Sequence, residues 1–314
     1  MFTEDWAQHI KIDRGQILDQ LNQHFFSISD KLALRFYTLK PSGTRLMVNG
    51  ICEVLHDALA YYVYGEAEIA KKGEMWAGLN AKSFFGQKQP QTDGKYGELL
   101  LFVLVESILA CKMIAHKIRS LSNYSDQVKG GDGIFIGNYE VGGTPHPAYL
   151  IGESKVTSTF SDALSEALIS INRFHDLRSK ADFLDNELIV AKEFIKVTID
   201  NIDELYDRLT PTSDAFKRQV LVHPILLMYT TTSFGKLERE SHTYEELEKA
   251  IADKVIGKDK VLVRKITEKL KEYPEVEKVF LDFFILPCNS VDDFRNSMYQ
   301  KIHGVPYSNP QKNG

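Results

Sequence analysis

At 314 residues the chain is long enough for a sizeable core and fits one large domain or two small ones. Its 43% hydrophobic and 26% charged residues, without any low-complexity run, argue against a disordered or fibrous chain. A formal net charge of −5 argues against a protein that grips nucleic acid by overall charge; that role would need a local basic surface, a metal ion or a partner.

In chain order, residues 1–30 read as a helical entry segment whose polar start lacks a signal-peptide core. "LALRFYTLKP" (32–41) alternates and stops at Pro41, so it reads as a strand. Residues 50–72 form an amphipathic helix pattern. A polar stretch over 77–97 is the clearest internal linker. It leads into an apolar helix over roughly 96–120. The run Leu99–Ala115 is short for a membrane span and contains Glu106 and Lys112, so it is expected to be a buried core helix. "GGDGIFIGNYEVGGTPHPAYLIGESKV" (130–156) reads as a hairpin. Residues 159–178 and 182–209 have helical periodicity. "RQVLVHPILLMYTTT" (218–232) is expected to be a central strand in which Pro224 marks a bulge or an edge. Residues 243–272 are helical, 277–287 a strand, and 290–302 a capped helix. This order gives an α/β fold, a mixed β-sheet flanked by helices. The expected divisions are an N-terminal α/β lobe (1–90), a core (91–303) and a flexible tail (304–314).

Several chemistries find no support. Cys52, Cys111 and Cys288 are scattered without a CxxC pair, which fits a reducing, cytoplasmic setting. The histidines show no HxxxH or HxH spacing, and neither a GxSxG elbow nor a GxxxxGK[ST] loop occurs. The lysines between 254 and 278 are interleaved with acids and read as a solvated face, although Lys258, Lys260, Arg264 and Lys265 form a local basic excess.

The hairpin carries the chemistry. Glu153 and Lys155 lie two apart on a strand and therefore share a face. With the turn centred near Gly143 and Thr144, Asp132 falls opposite Lys155, one same-face step from Glu153. Two carboxylates at close range repel unless a cation sits between them. A hard divalent ion, Mg²⁺ or Mn²⁺, suits such oxygens and keeps waters that can become nucleophiles. A neighbouring lysine can orient that water and stabilise charge on a phosphate. Glu98, in the first turn of the apolar helix, can either cap that helix or reach the metal patch. Glu106 lies more than two turns on, roughly 80° around the helix, and is the weaker candidate. Each residue also has a plainer role: Glu153–Lys155 as an exposed edge-strand ion pair, Asp132 as a turn residue, Glu98 as a cap.

"KYGELLLFVLVESIL", "VKGGDGIFI" and "YLIGESKV", with the closing "FFILPCNSVDDFRNSMYQKI", resemble the nuclease-subunit family of Hachiman anti-phage defence systems, HamA, from about residue 20 to 303. The resemblance implies a restriction-endonuclease-like PD-(D/E)xK core. In it Asp132 and Glu153 are the metal acids, Lys155 the catalytic lysine and Glu98 the acid of the first core helix. Gly131 stands where the motif name has proline. The resemblance further implies a superfamily 2 helicase partner (HamB), DNA as substrate, and a nuclease held inactive until the helicase meets aberrant DNA. The expected function is thus a Mg²⁺-dependent deoxyribonuclease acting in a helicase-linked defence complex, with no membrane association. The alternatives are a non-catalytic scaffold with a decayed nuclease core, and a metal-dependent RNase or nucleotide hydrolase.

Overall fold

The computed structural model describes residues 5–85, 94–115, 131–175 and 202–307. A short helix, α1 (Arg14–Leu18), leads into an antiparallel pair, β1 (Leu21–Ser29) and β2 (Leu32–Leu39), turned at Asp30 in the left-handed region (φ 49°). The entry is thus largely a strand where a helix was expected. β1 is an edge strand with exposed Phe26 and Ile28, and a register shift between Gln23 and Phe25 breaks the two-residue period that would have revealed it.

A two-stranded ribbon follows, β3 (Pro41–Ser42) with β4 (Arg45–Leu46). Helix α2 (Asn49–Lys72) breaks its helical dihedrals at Gly65 (φ 69°, ψ 171°), and α3 (Glu74–Ala81) occupies part of the expected linker. Residues 82–85 form a 3-10 turn and 95–97 open the next helix, while 86–93, with the expected boundary near residue 90, lie outside the described residues. Helix α4 (Lys95–Leu104) widens into a π turn (Val105–Leu109) and stops at Ala110 (φ 52°). The apolar run therefore ends as a helix earlier than expected, and its last part is strand β5 (Lys112–Ala115). Among the described residues no helix is long and apolar enough to cross a membrane.

The hairpin of β6 (Gly133–Val141) and β7 (Thr144–Thr157) comes next, then α5 (Phe160–His175). Of the helix expected over 182–209, only α6 (Ile202–Arg208) falls within the described residues. After α7 (Asp214–Lys217) come β8 (Val220–Thr230), α8 (Ser233–Glu240) and α9 (Tyr244–Val255). Gly257 (φ 72°) divides α9 from α10 (Lys258–Leu270), where one helical stretch was expected. β9 (Phe280–Cys288) and α11 (Val291–His303) close the fold, the latter capped by Ser290 Oγ accepting from Asp293 N at 3.0 Å. The end of the expected flexible tail, 308–314, lies outside the described residues.

The main sheet has seven strands in the order β1-β2-β9-β8-β7-β6-β5. Its middle, β2-β9-β8-β7, is parallel, and β1, β6 and β5 pair antiparallel, which makes the sheet mixed. β2 enters it by pairing with β9, so residues 21–39 share the sheet with the hairpin. Leu150, Leu226 and Phe284 face α2, α4 and α11; Ile225, Leu227, Phe283 and Ile285 face α5 and α10.

Pro224 marks neither a bulge nor an edge, because β8 is central and its register against β7 is the same on both sides, Leu150↔Val222 and Glu153↔Ile225. In a parallel ladder the carbonyl of Ile151 takes its hydrogen bond from the amide of residue 224, which proline lacks. His223 Nδ1 lies 2.9 Å from that carbonyl and donates in the amide's place. His223 Nε2 is then left as an acceptor for His175 Nε2–H at 2.8 Å. Burial and the neighbouring His175 push His223 down to about 3, so the His223 ring is neutral.

Candidate active site

Strand β7 divides its side chains between two helical layers. Ile151, Glu153 and Lys155 face α5, while Gly152, Ser154 and Val156 face α4. Gly97 of α4 makes this second contact close: a Cβ there would stand 2.9 Å from Val156 Cγ2 and 3.1 Å from Ser154 Oγ.

The turn of the hairpin sets which residue meets Glu153. Gly142 and Gly143 both have positive φ (60° and 79°), and Val141 pairs with Thr144. Two such residues are what a two-residue hairpin turn of this hand requires. The turn is therefore centred one position earlier than expected, which moves the pairing by two residues. The register reaches Gly133↔Gly152, and Asp132 N donates to Gly152 O at 2.8 Å. Asp132 lies just beyond the ladder, beside Gly152 and tied to Ser154, a correction to the expected position opposite Lys155.

Glu153 is 4% exposed, so its pair with Lys155 is not the loose edge-strand contact that its sequence also allowed. Lys155 Nζ donates to Glu153 Oε1 at 2.5 Å. Burial first, then the Asp132 charge, push the Glu153 carboxyl up to about 7, against the pull of Lys155 and a hydrogen bond from Ser170 of α5. Burial would lower Lys155, but Glu153 and Asp132 outweigh it and hold the ammonium above its ordinary value. Asp132 Oδ2 accepts from Ser154 N and Ser154 Oγ, both at 2.7 Å. The plain turn role for Asp132 is thus replaced by a tie to the catalytic-looking strand.

Three of the four expected residues, Asp132, Glu153 and Lys155, interact directly or through their charges. Glu98, next to Gly97 on α4, accepts at Oε2 from Tyr62 OH at 3.4 Å; α4 packs on the face of β7 opposite Glu153, so the structure does not bring Glu98 together with the other three. Among the described residues no three His, Cys, Asp or Glu side chains gather as a metal-holding group. The pair Asp132 and Glu153 nevertheless fits a hard divalent ion: both offer oxygen, and the Asp132 charge raises the energy of the Glu153 carboxylate, which a cation would relieve. Ser154, Ser170 and Arg173 escaped the sequence reading. Ser154 stood in view between Glu153 and Lys155, but Ser170 and Arg173 meet the site only through packing of α5.

A family model, HamA, matches residues 15–302. The chain belongs to the HamA family. This makes it a component of a Hachiman-type antiviral defence system. No curated protein matches this HamA chain.

Proposed function

We propose that this HamA protein is a metal-dependent deoxyribonuclease with a restriction-endonuclease-like PD-(D/E)xK core, the effector of a complex with a superfamily 2 helicase. The observation that carries this reading is the buried Glu153, clamped by Lys155 and loaded by the Asp132 charge. An acid before β6, an E-x-K on β7 and a preceding helix bearing Glu98 match the layout expected of such a core. The chain's net charge of −5 supports a partner that supplies DNA affinity.

Asp132 and Glu153 would hold Mg²⁺ or Mn²⁺. The ion, when bound, supplies a polarised water and neutralises charge on the scissile phosphate. Lys155 would hydrogen-bond that water and the phosphoryl oxygen on which charge builds.

The test assays the helicase complex on duplex DNA, single-stranded DNA and RNA in Mg²⁺. DNA degradation is expected with the native chain and lost in Glu153→Ala and Lys155→Ala. Undiminished cleavage by Glu153→Ala would overturn the assignment. A second reading, a scaffold with a decayed core, is favoured by the internal commitments of both acids, Glu153 to Lys155 and Asp132 to Ser154. It expects both variants to retain protection against phage.

A further inference from the structure

Of the buried residues on α5, Ser170 alone carries a hydroxyl, and it lies over the Glu153 carboxylate. A hydroxyl in an apolar layer is costly unless its hydrogen bonds are made. Arg173, one helical turn on, donates from Nη2 to Ser170 Oγ at 2.6 Å and from Nε to the Ser170 carbonyl at 3.4 Å. A guanidinium can only donate, so Ser170 Oγ must accept there, and its own proton is free for Glu153. The contacts run in one direction: Arg173 to Ser170 to Glu153.

We propose that Ser170 and Arg173 are positioning residues that fix the Glu153 carboxylate in the orientation a divalent cation requires; the proposal rests on the metal-site reading above. Lys155 cannot do this alone. It grips Oε1 from two residues along the same strand with a long side chain that is 22% exposed, so the carboxylate can follow the ammonium as it moves. Ser170 holds it from the other layer, on a helix packed against β7 and β8. A carboxylate held at two points has less freedom to lose when an ion binds, and such supporting contacts commonly change metal affinity tenfold or more.

The test is Mn²⁺ binding to the full chain by isothermal titration calorimetry, with urea denaturation as the check on folding. Ser170→Ala is expected to weaken Mn²⁺ about tenfold or more, and Arg173→Met about threefold to tenfold. The double variant should bind no worse than Ser170→Ala, because Arg173 acts through Ser170. Should Ser170→Ala shift the urea midpoint, Ser170→Cys, close in shape and a poorer donor, replaces it and should also bind Mn²⁺ more weakly. Wild-type affinity in Ser170→Ala, with binding lost in Glu153→Ala, would overturn the positioning role and leave the metal site standing. Losses that multiply in the double variant would remove Arg173 from the proposal. Equal binding by wild type and Glu153→Ala, or none by wild type, would overturn the metal site and the positioning role together.

Discussion

Among the described residues, two glutamate–lysine pairs have a buried acid, and they differ in kind. Glu106 and Lys112 stand 2.9 Å apart, with side chains 0% and 5% exposed; Glu153 and Lys155 stand 2.5 Å apart, at 5% and 22%. Lys112 also donates to Tyr61 OH, and Glu106 Oε1 accepts from Met113 N at 3.0 Å. The first pair thereby ties the π turn to β5, and the further charges that reach Lys112, Glu66 and Lys11, are opposite in sign and paired with each other. Burial dominates both members, raising Glu106 and lowering Lys112. The second pair carries a surplus acid, Asp132, and its lysine is held above its ordinary value instead. Burial is common to both pairs, so the excess negative charge beside a partly open lysine is what distinguishes a candidate site from a structural tie.

One substitution made in both places should separate them most widely. Glu106→Gln leaves Lys112 buried without its counter-charge and should cost about 3–5 kcal/mol, read from urea unfolding. Adding Lys112→Met should recover much of that loss. Glu153→Gln leaves Lys155 still facing Asp132, so stability at pH 8 should hold or rise, while DNA cleavage falls on the order of 10²–10³-fold or more. Equal destabilisation by the two variants would erase the distinction.

A smaller effect is expected at the strand beneath the site. His223→Ala leaves the Ile151 carbonyl unserved and should cost about 1–3 kcal/mol. Pro224→Val restores the missing amide and should recover most of that loss in the double variant. Failure of this rescue would show that the imidazole does not stand in for the amide.

The smallest expected effect is a dependence on pH. The folded-state pKa of Glu153 is raised to about 7, so between the usual carboxylate range and about 7 the folded chain binds a proton that the unfolded chain lacks. Metal-free stability should therefore rise as pH falls through about 7. Mn²⁺ affinity should move the opposite way, falling toward about tenfold per pH unit below that point as protons compete. Glu153→Gln should flatten the stability trend around pH 7.

The hairpin and the pairing of acid with lysine were legible because strand alternation is local and "GESKV" breaks an apolar run. The register of the hairpin was misplaced by two residues because "VGGT" leaves the turn centre open until both glycines are known to take positive φ. β1 was hidden by its register shift, and the early end of α4 by an apolar run that suits helix and strand alike. Ser170 could not be read as part of the site. It stands 17 residues beyond Glu153, and nothing in the helical pattern of α5 says which residue it will cover. Pro224 was read by the usual rule, which fails here because a side chain next door supplies the donor.

The Gly142–Gly143 tip has a reach out of proportion to its exposure. β6 spans nine residues, so the tip stands roughly 30 Å from Asp132. Yet it decides the phase in which two strands meet, and so which acids share a patch of sheet. A solvent-facing loop is therefore as closely constrained as the buried candidate site it serves, and lengthening it by one residue would change which side chains meet at the far end of the ribbon.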